Sequence, residues 1–421
     1  MQWVSQVVLF ILNRADYFFS GSLSGMTEAE IRENPYRDFG LLRARGHVLR
    51  TYRNRGWIVL GFDEVQAVFR DARFGADMRK NAWVVSMLRM AADGRPVSYL
   101  DSPTMLNLDP PDHTRLRKLA NHGFLHKFIL SLEPRIEAIA TRCLDTCEPA
   151  SGQFDVMNQL AKPLPVIVIA ELLGLPEEDL PRFQALSEDL IGLSALGNDA
   201  LMDAGAKANA ELIAYFSEVI AAKRSAPGDD MISRLIAAEE DGDRLTAEEL
   251  NSTCVVLLIA GHETTARLIG NGVYQLLKHP EQLALLRREP ALLPNAIEEM
   301  LRFEPPLQFM VRFAQEDIEF FGRQIKKNQV VMAVIASANR DPAKIVDPER
   351  FDITRQNVDH VSFGYGIHLC LGMTLARLES RVAIQLLLDR FPEFHLAEQT
   401  LTWSSVPMVR GLDSLVINVT S

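Results

Sequence analysis

The sequence predicts a mainly helical fold with small β-sheets, arranged around one long central helix. Three observations carry that expectation. Apolar residues recur at three-to-four spacing through 113–147, 177–222, 247–278, 291–303 and 371–390, the period of a helix with a buried face. Strand-like pieces are fewer and short, at 57–60, 311–320, 330–335 and 415–419, with alternating or β-branched character. No repeat, low-complexity tract or Ser/Gly linker divides the chain, and 225–230 reads only as a loop between helices. The 421 residues exceed the usual size of one core. With no boundary visible, a single domain over 1–421 is the economical reading.

Composition narrows the function classes. Hydrophobic residues make up 48% and charged residues 24%, as in an ordinary globular protein with a substantial core. A formal net charge of −11 argues against nucleic acid, whose binders need a basic stripe to replace phosphate counterions. Small molecules and proteins remain as partners. The cysteines at 143, 147, 254 and 370 are too few and too uneven to staple this chain, which fits a reducing, cytoplasmic setting. Cys143 and Cys147 stand four apart without a second pair at finger-like spacing, so they read as inert thiols. Residues 3–12 are apolar but too short to span a bilayer, which takes about 20 apolar residues. No cleavage site follows them. The segment 1–24 is expected to lie on a surface, with no firm membrane anchor.

The strongest chemical signal is Phe363-Gly-Tyr-Gly-Ile-His-Leu-Cys370-Leu-Gly372, followed at once by a helical run. Three glycines, Gly364, Gly366 and Gly372, let the backbone turn tightly and approach a flat cofactor. Cys370 then stands at the start of a helix, where orphan N–H groups and the positive dipole end favour a thiolate. Such a sulfur is a good axial ligand for haem iron. A buried cysteine beside a turn would explain a lone thiol equally well, but not this spacing.

Here the sequence resembles the cytochromes P450 of the soluble bacterial kind, in order over nearly the whole chain. The block just quoted is similar to the family's haem-binding loop. Glu299-Met-Leu-Arg302 is similar to its Glu-x-x-Arg helix signature, Ala260-Gly-His-Glu-Thr-Thr265 to its oxygen-activating helix, and His113-Thr-Arg-Leu-Arg117 to its propionate-binding helix. The resemblance implies haem b ligated by Cys370, with Phe363, Gly364, Gly372 and Ala260 against the cofactor. It also implies a monooxygenase that inserts one atom of dioxygen into a lipophilic molecule of fatty acyl, terpenoid, steroid or polyketide-like type. With no flavin or ferredoxin module in this chain, electrons are expected from a separate ferredoxin and its reductase.

The central helix sets Glu263 and Thr264 inside an otherwise apolar run, which is costly unless they are satisfied or used. A kink with Thr264 bonding back to a carbonyl one turn earlier is the plain alternative. The resemblance implies instead that Thr264 steadies dioxygen and that Glu263 helps deliver protons for O–O cleavage. Arg267, four residues after Glu263, stands at the spacing for a helical ion pair. A surface or interhelical pair is the favoured reading, and a bridge holding Glu263 away from the haem is the sharper one.

His113 and Arg117 share one helix face. With Arg312 on a strand and His368 two residues before Cys370, they form a set suited to two propionates. Glu299 and Arg302 are expected to be a structural pair bracing the proximal loop. Matching the family's substrate segments are Trp83, Val84, Met87 and Leu88, then Phe183, Leu186 and Leu190, then Leu307, Phe309, Met310 and Val311, and finally 406–409. Lacking an obvious basic cluster, they imply a pocket of apolar groups with few polar anchors. Arg115, Lys118, His122 and His126 fall on the opposite side of the helix that holds His113 and Arg117, a cationic strip on which an acidic ferredoxin is expected to dock. Two rivals stay open from the sequence: a peroxide-driven haem-thiolate hydroxylase, to which Glu263 and Thr264 would be superfluous, and a haem-thiolate sensor, which would usually bring an effector domain.

Overall fold

A computed structural model describes residues 33–50, 56–92, 94, 104–147, 152–190, 199–238, 242–404, 406 and 408–420. The expectation for residues 1–24 lies outside them. Among the described residues no helix is long and apolar enough to cross a membrane, and all four cysteines are free thiols.

The central helix runs unbroken from Ala247 to Lys278, about 48 Å at 1.5 Å per residue. Its start is fixed by a capping box: Glu249 N–H donates to Thr246 Oγ1, and Thr246 N–H donates to the Glu249 carboxylate. The largest apolar cluster of the molecule packs around it, drawing on helices Glu133–Leu144, Pro163–Leu172, Leu293–Phe303 and Met373–Arg390.

Two periodic stretches resolve into several helices. The run 113–147 divides into helices Asp112–Asn121, His126–Ser131 and Glu133–Leu144, with a 3-10 turn at His122–Phe124. Leu125 breaks it with extended backbone, φ −60° and ψ 127°, although the apolar spacing continues across the break. Within 177–222, helix Leu180–Leu190 and helix Asp199–Ser225 are separate. Helix Pro163–Leu172 escaped the periodicity because PLPVIVIAEL is apolar on nearly every side, so it offers no polar face to mark a period.

The strands are β1 (Val48–Arg50), β2 (Gly56–Val59), β3 (Phe74–Gly75), β4 (Gln153–Asp155), β5 (Met310–Ala314), β6 (Ile318–Phe320), β7 (Arg323–Ile325), β8 (Val330–Ala333), β9 (Glu393–Leu396) and β10 (Val416–Thr420). The order β1-β2-β8-β5-β3 makes the main sheet. β2 and β8 pair in parallel and its other neighbours pair antiparallel. The expected strand 311–320 is two strands, β5 and β6, since β6 turns away into a hairpin with β7. β10 pairs with β4 and β9 and brings the C-terminal segment back over the helical half.

Candidate active site

The glycine-rich loop is closed upon itself: Cys370 N–H donates to the Phe363 carbonyl at 2.9 Å. Gly366, at φ +69°, lies so near the backbone of Phe69 that a Cβ would meet its carbonyl oxygen at 2.5 Å. No other residue fits there without moving the main chain. Gly372 then caps helix Met373–Arg390. Burial pushes the Cys370 thiol up; the Gly372 N–H, Arg117 and Arg377 pull it down without outweighing burial. The helix start alone therefore does not yield the thiolate expected from sequence. A metal cation held by Cys370 would supply the missing charge, since a coordinating thiol is deprotonated outright.

Beside the loop, the four groups singled out from sequence come together. The His113 and His368 rings lie 4.2 Å apart, and Arg117 donates to the Leu369 carbonyl at 2.7 Å. Burial, Arg312, His113 and Arg117 hold His368 down at about 3. Burial and the neighbouring arginines lower His113 as well. Both imidazoles are thus held toward the neutral form, with one N–H each, and that of His368 is engaged by the Met105 backbone. Arg312 is nine-tenths buried and lowered to about 10 by burial, so it keeps its charge. The carboxylate that acts on it, Asp109, is already committed to Ala76 N–H, Lys80 and Gln315. Both ring nitrogens of His113 are buried without a hydrogen-bond partner, a state that native interiors rarely leave. Two guanidiniums and two imidazoles around such an orphan fit the pair of carboxylates on a haem.

On the central helix, 254–258 and 265–273 are buried while Ile259, Gly261, Glu263 and Thr264 are half-buried and Ala260 is exposed. This interruption marks the helix surface left for a cofactor or substrate. Thr264 Oγ1 donates to the Ala260 carbonyl at 2.9 Å, and Thr265 does the same to Gly261. The local bonding is the alternative foreseen for Thr264, but the helix continues through it. Arg267 Nε donates to Glu263 at 2.8 Å. Contrary to a surface pair, both side chains are largely enclosed, 7% and 12% exposed.

Glu299 and Arg302 are fully buried and joined at 2.7 and 2.8 Å. Arg302 also donates to the carbonyls of Asn339, Pro348 and Arg350. Asn339 in turn holds Val361 N–H and Ser362 at the mouth of the cysteine loop. One pair was missed from sequence. Arg377 makes two bonds to Glu298 at 2.6 and 2.7 Å and lies over the Phe363 ring at 4.5 Å. Burial would raise Glu298, but Arg377 and His360 overcome it and hold it at about 2. A legible signal existed: Arg377 stands in the first turns of the helix that follows Cys370.

Several expected substrate residues are core. Val84 and Leu88 pack on Phe313 of β5. Phe183, Leu186 and Leu190 belong to the main cluster, with Phe183 ringed by Tyr215 and Phe216. Leu307, Met310, Val311, Val406, Met408 and Val409 are only half-buried, and an isolated bridge joins Leu307 to Val409. Trp83 and Met87 are half-buried too, while Phe309 is 7% exposed. Pro407 lies outside the described residues. The cationic strip also fails as drawn. The helix ends at Asn121, so His122 and His126 sit on other elements, and Arg115 is taken by Glu249 and Asp243.

The comparisons agree with this geometry. The family model described as Cytochrome P450 matches residues 98–408. The cytochrome P450 monooxygenase PikC of Streptomyces venezuelae is 40% identical over 93% of each chain. The vitamin D(3) 25-hydroxylase of Pseudonocardia autotrophica is 41% identical over 92% of this chain and 94% of its own. The crystal structure of P450BioI in complex with an acyl carrier protein bearing hexadec-9Z-enoic acid superposes with a TM-score of 0.85 at 37% identity, covering 93% of this chain and 99% of that one. A helical fold with a cysteine loop and a carboxylate-ready cationic cluster is that of a haem oxidoreductase. The chain belongs to the cytochrome P450 family. It is a monooxygenase, and its cofactor is haem b.

Proposed function

We propose that Cys370 supplies the axial thiolate to haem b and that His113, Arg117, Arg312 and His368 hold its propionates, with Phe363, Gly364, Gly372 and Ala260 against the macrocycle. The observation that carries this is the buried His113 ring, unpartnered at both nitrogens within a cationic cluster. When bound, the haem supplies the redox chemistry that splits dioxygen, sending one atom to substrate and one to water. The chain's own groups do the rest. Thr264 spends its proton on the Ala260 carbonyl and keeps oxygen lone pairs with which to accept a hydrogen bond. Glu263 offers a largely enclosed carboxylate one residue away, suited to pass protons inward from water.

The substrate is a lipophilic molecule of fatty acyl, terpenoid, steroid or polyketide-like type, held by Leu307, Met310, Val311 and 406–409. Relatives named for vitamin D and for an acyl carrier protein bearing a C16 chain support that class. Electrons come from a separate ferredoxin with its reductase. Arg115 of the foreseen docking strip is already paired with Glu249 and Asp243. We assign the enzyme to the cytoplasm, in keeping with four free thiols.

Two results are expected. His113→Phe and Arg312→Leu each remove a bond to a charged group, worth about 1.5–3 kcal/mol. Both should speed haem transfer to apomyoglobin by roughly ten- to a hundredfold; unchanged transfer would detach these residues from the propionates. Thr264→Ala and Glu263→Gln should retain haem yet consume reductant with peroxide as the product, because a proton relay contributes about 10²–10⁴-fold. Fully coupled turnover in both variants would favour a peroxide-driven hydroxylase.

A further inference from the structure

Glu263, Arg267, Asn271 and Gln275 stand four residues apart, so each lies about 40° round the central helix from the last. They make one continuous polar face on the helix, and Arg267, Asn271 and Gln275 are buried. Each of these three reaches the C-terminal loop or its anchor. Arg267 donates to the Leu412 carbonyl and, at 3.3 Å, to Asp413. Asn271 donates to the Arg410 carbonyl at 3.1 Å. Gln275 donates to Glu304, which also takes Arg410 and Tyr36 at 2.6 Å each.

The loop held in this way carries Val406, Met408 and Val409. Its base is closed by the Trp403–Leu412 bridge and by Ser404 N–H on the Gly411 carbonyl at 2.9 Å. Its far side is stitched to the segment after the Glu-x-x-Arg helix, through Arg410 N–H on Pro306 and Gln308 N–H on Met408. Within this ladder Arg267 alone bonds both Glu263 and the loop. A guanidinium is planar and rigid, so Nε on Glu263 and the terminal nitrogen on Leu412 move as one body. Gly411 lies against its stem, where a Cβ would stand 2.2 Å from Arg267 Cδ, so only glycine leaves space for this side chain.

We propose that Arg267 is a positioning residue that couples the substrate loop to Glu263, so that displacement of the loop by a bound substrate turns the carboxylate. The functional meaning rests on the reading of Glu263 as proton donor and of 406–409 as substrate-facing. Coupling free energy is reciprocal, and with Arg267 held in one pose by both partners, removal of the Glu263 charge is expected to loosen a loop that Glu263 does not touch.

Amide hydrogen exchange on the full-length haem-loaded protein tests this without any substrate. Glu263→Gln is expected to speed exchange of peptides covering 408–413 several-fold. In an Arg267→Gln background, where those peptides already exchange fast, the same change should add nothing. Gly411→Ala, which pushes the Arg267 stem, should reproduce the fast loop if Arg267→Gln fails to load haem. Equal exchange in wild type and Glu263→Gln overturns the proposal, as does an undiminished effect of Glu263→Gln once Arg267 is gone. The cycle is blind to proton delivery, so its failure is distinguishable from coupled turnover in Glu263→Gln, which would sink the catalytic reading instead.

Discussion

Cys370→His, purified with haem, is expected to lack the strongly red-shifted Soret band expected of the reduced CO complex of the wild type, and to lose turnover with it. As the proposed axial ligand, the Cys370 sulfur would donate electron density that favours O–O cleavage; an imidazole would hold iron without that push. The backbone should tolerate the change. Cys370 N–H bonds the Phe363 carbonyl through the main chain, and the tight turns are set by Gly364 and Gly366 at φ +70° and +69°, not by the sulfur. Haem content should therefore fall less than activity. A CO spectrum identical to wild type would place the ligand elsewhere and remove the basis of the whole site.

Arg302→Ala should have the largest effect on folding of any single change outside the loop. Glu299 would remain fully buried with its main cation gone, and breaking a buried pair costs about 3–5 kcal/mol. A typical domain has only about 5–15 kcal/mol to lose. The carbonyls of Asn339, Pro348 and Arg350 would lose their donor as well, and through Asn339 the strain would reach Val361 and Ser362. Expected results are aggregated protein on expression and little haem in whatever stays soluble. The double change Glu299→Leu with Arg302→Met removes both members of the buried pair, leaving only the less buried Arg355 without its contact to Glu299, and should yield more soluble protein than Arg302→Ala. If it instead fails equally, the carbonyl contacts matter more than the ion pair.

The central helix was legible over 247–278 because its apolar spacing carries on to Lys278 despite the polar residues set within it. The loop was legible because glycines and a cysteine at that spacing have few other uses. Phe183 and Leu186 misled, since core and pocket lining draw on the same residue types and only the packing partners separate them. The docking strip misled for a different reason. Periodicity carried on through Leu125 although the backbone there is extended, and no sequence rule announced that Arg115 would be claimed by Glu249 from another helix. Arg267 was located correctly by spacing, but its burial depended on Gly411, nearly 150 residues away in the chain.

The double fastening of the C-terminal loop has a bearing on how this enzyme could diverge. Val409 is paired with Leu307, Arg410 N–H is bonded to Pro306, and Leu412 closes on Trp403, so the stretch between 403 and 412 is pinned at its base and along one side. An insertion there would throw both sets of pairings out of step. Exchange of the side chains at Val406, Met408 and Val409 disturbs neither. Descendants of this chain that acquire new substrates should thus differ at those three positions while keeping the loop's length, a pattern that a set of related sequences with assayed preferences would reveal.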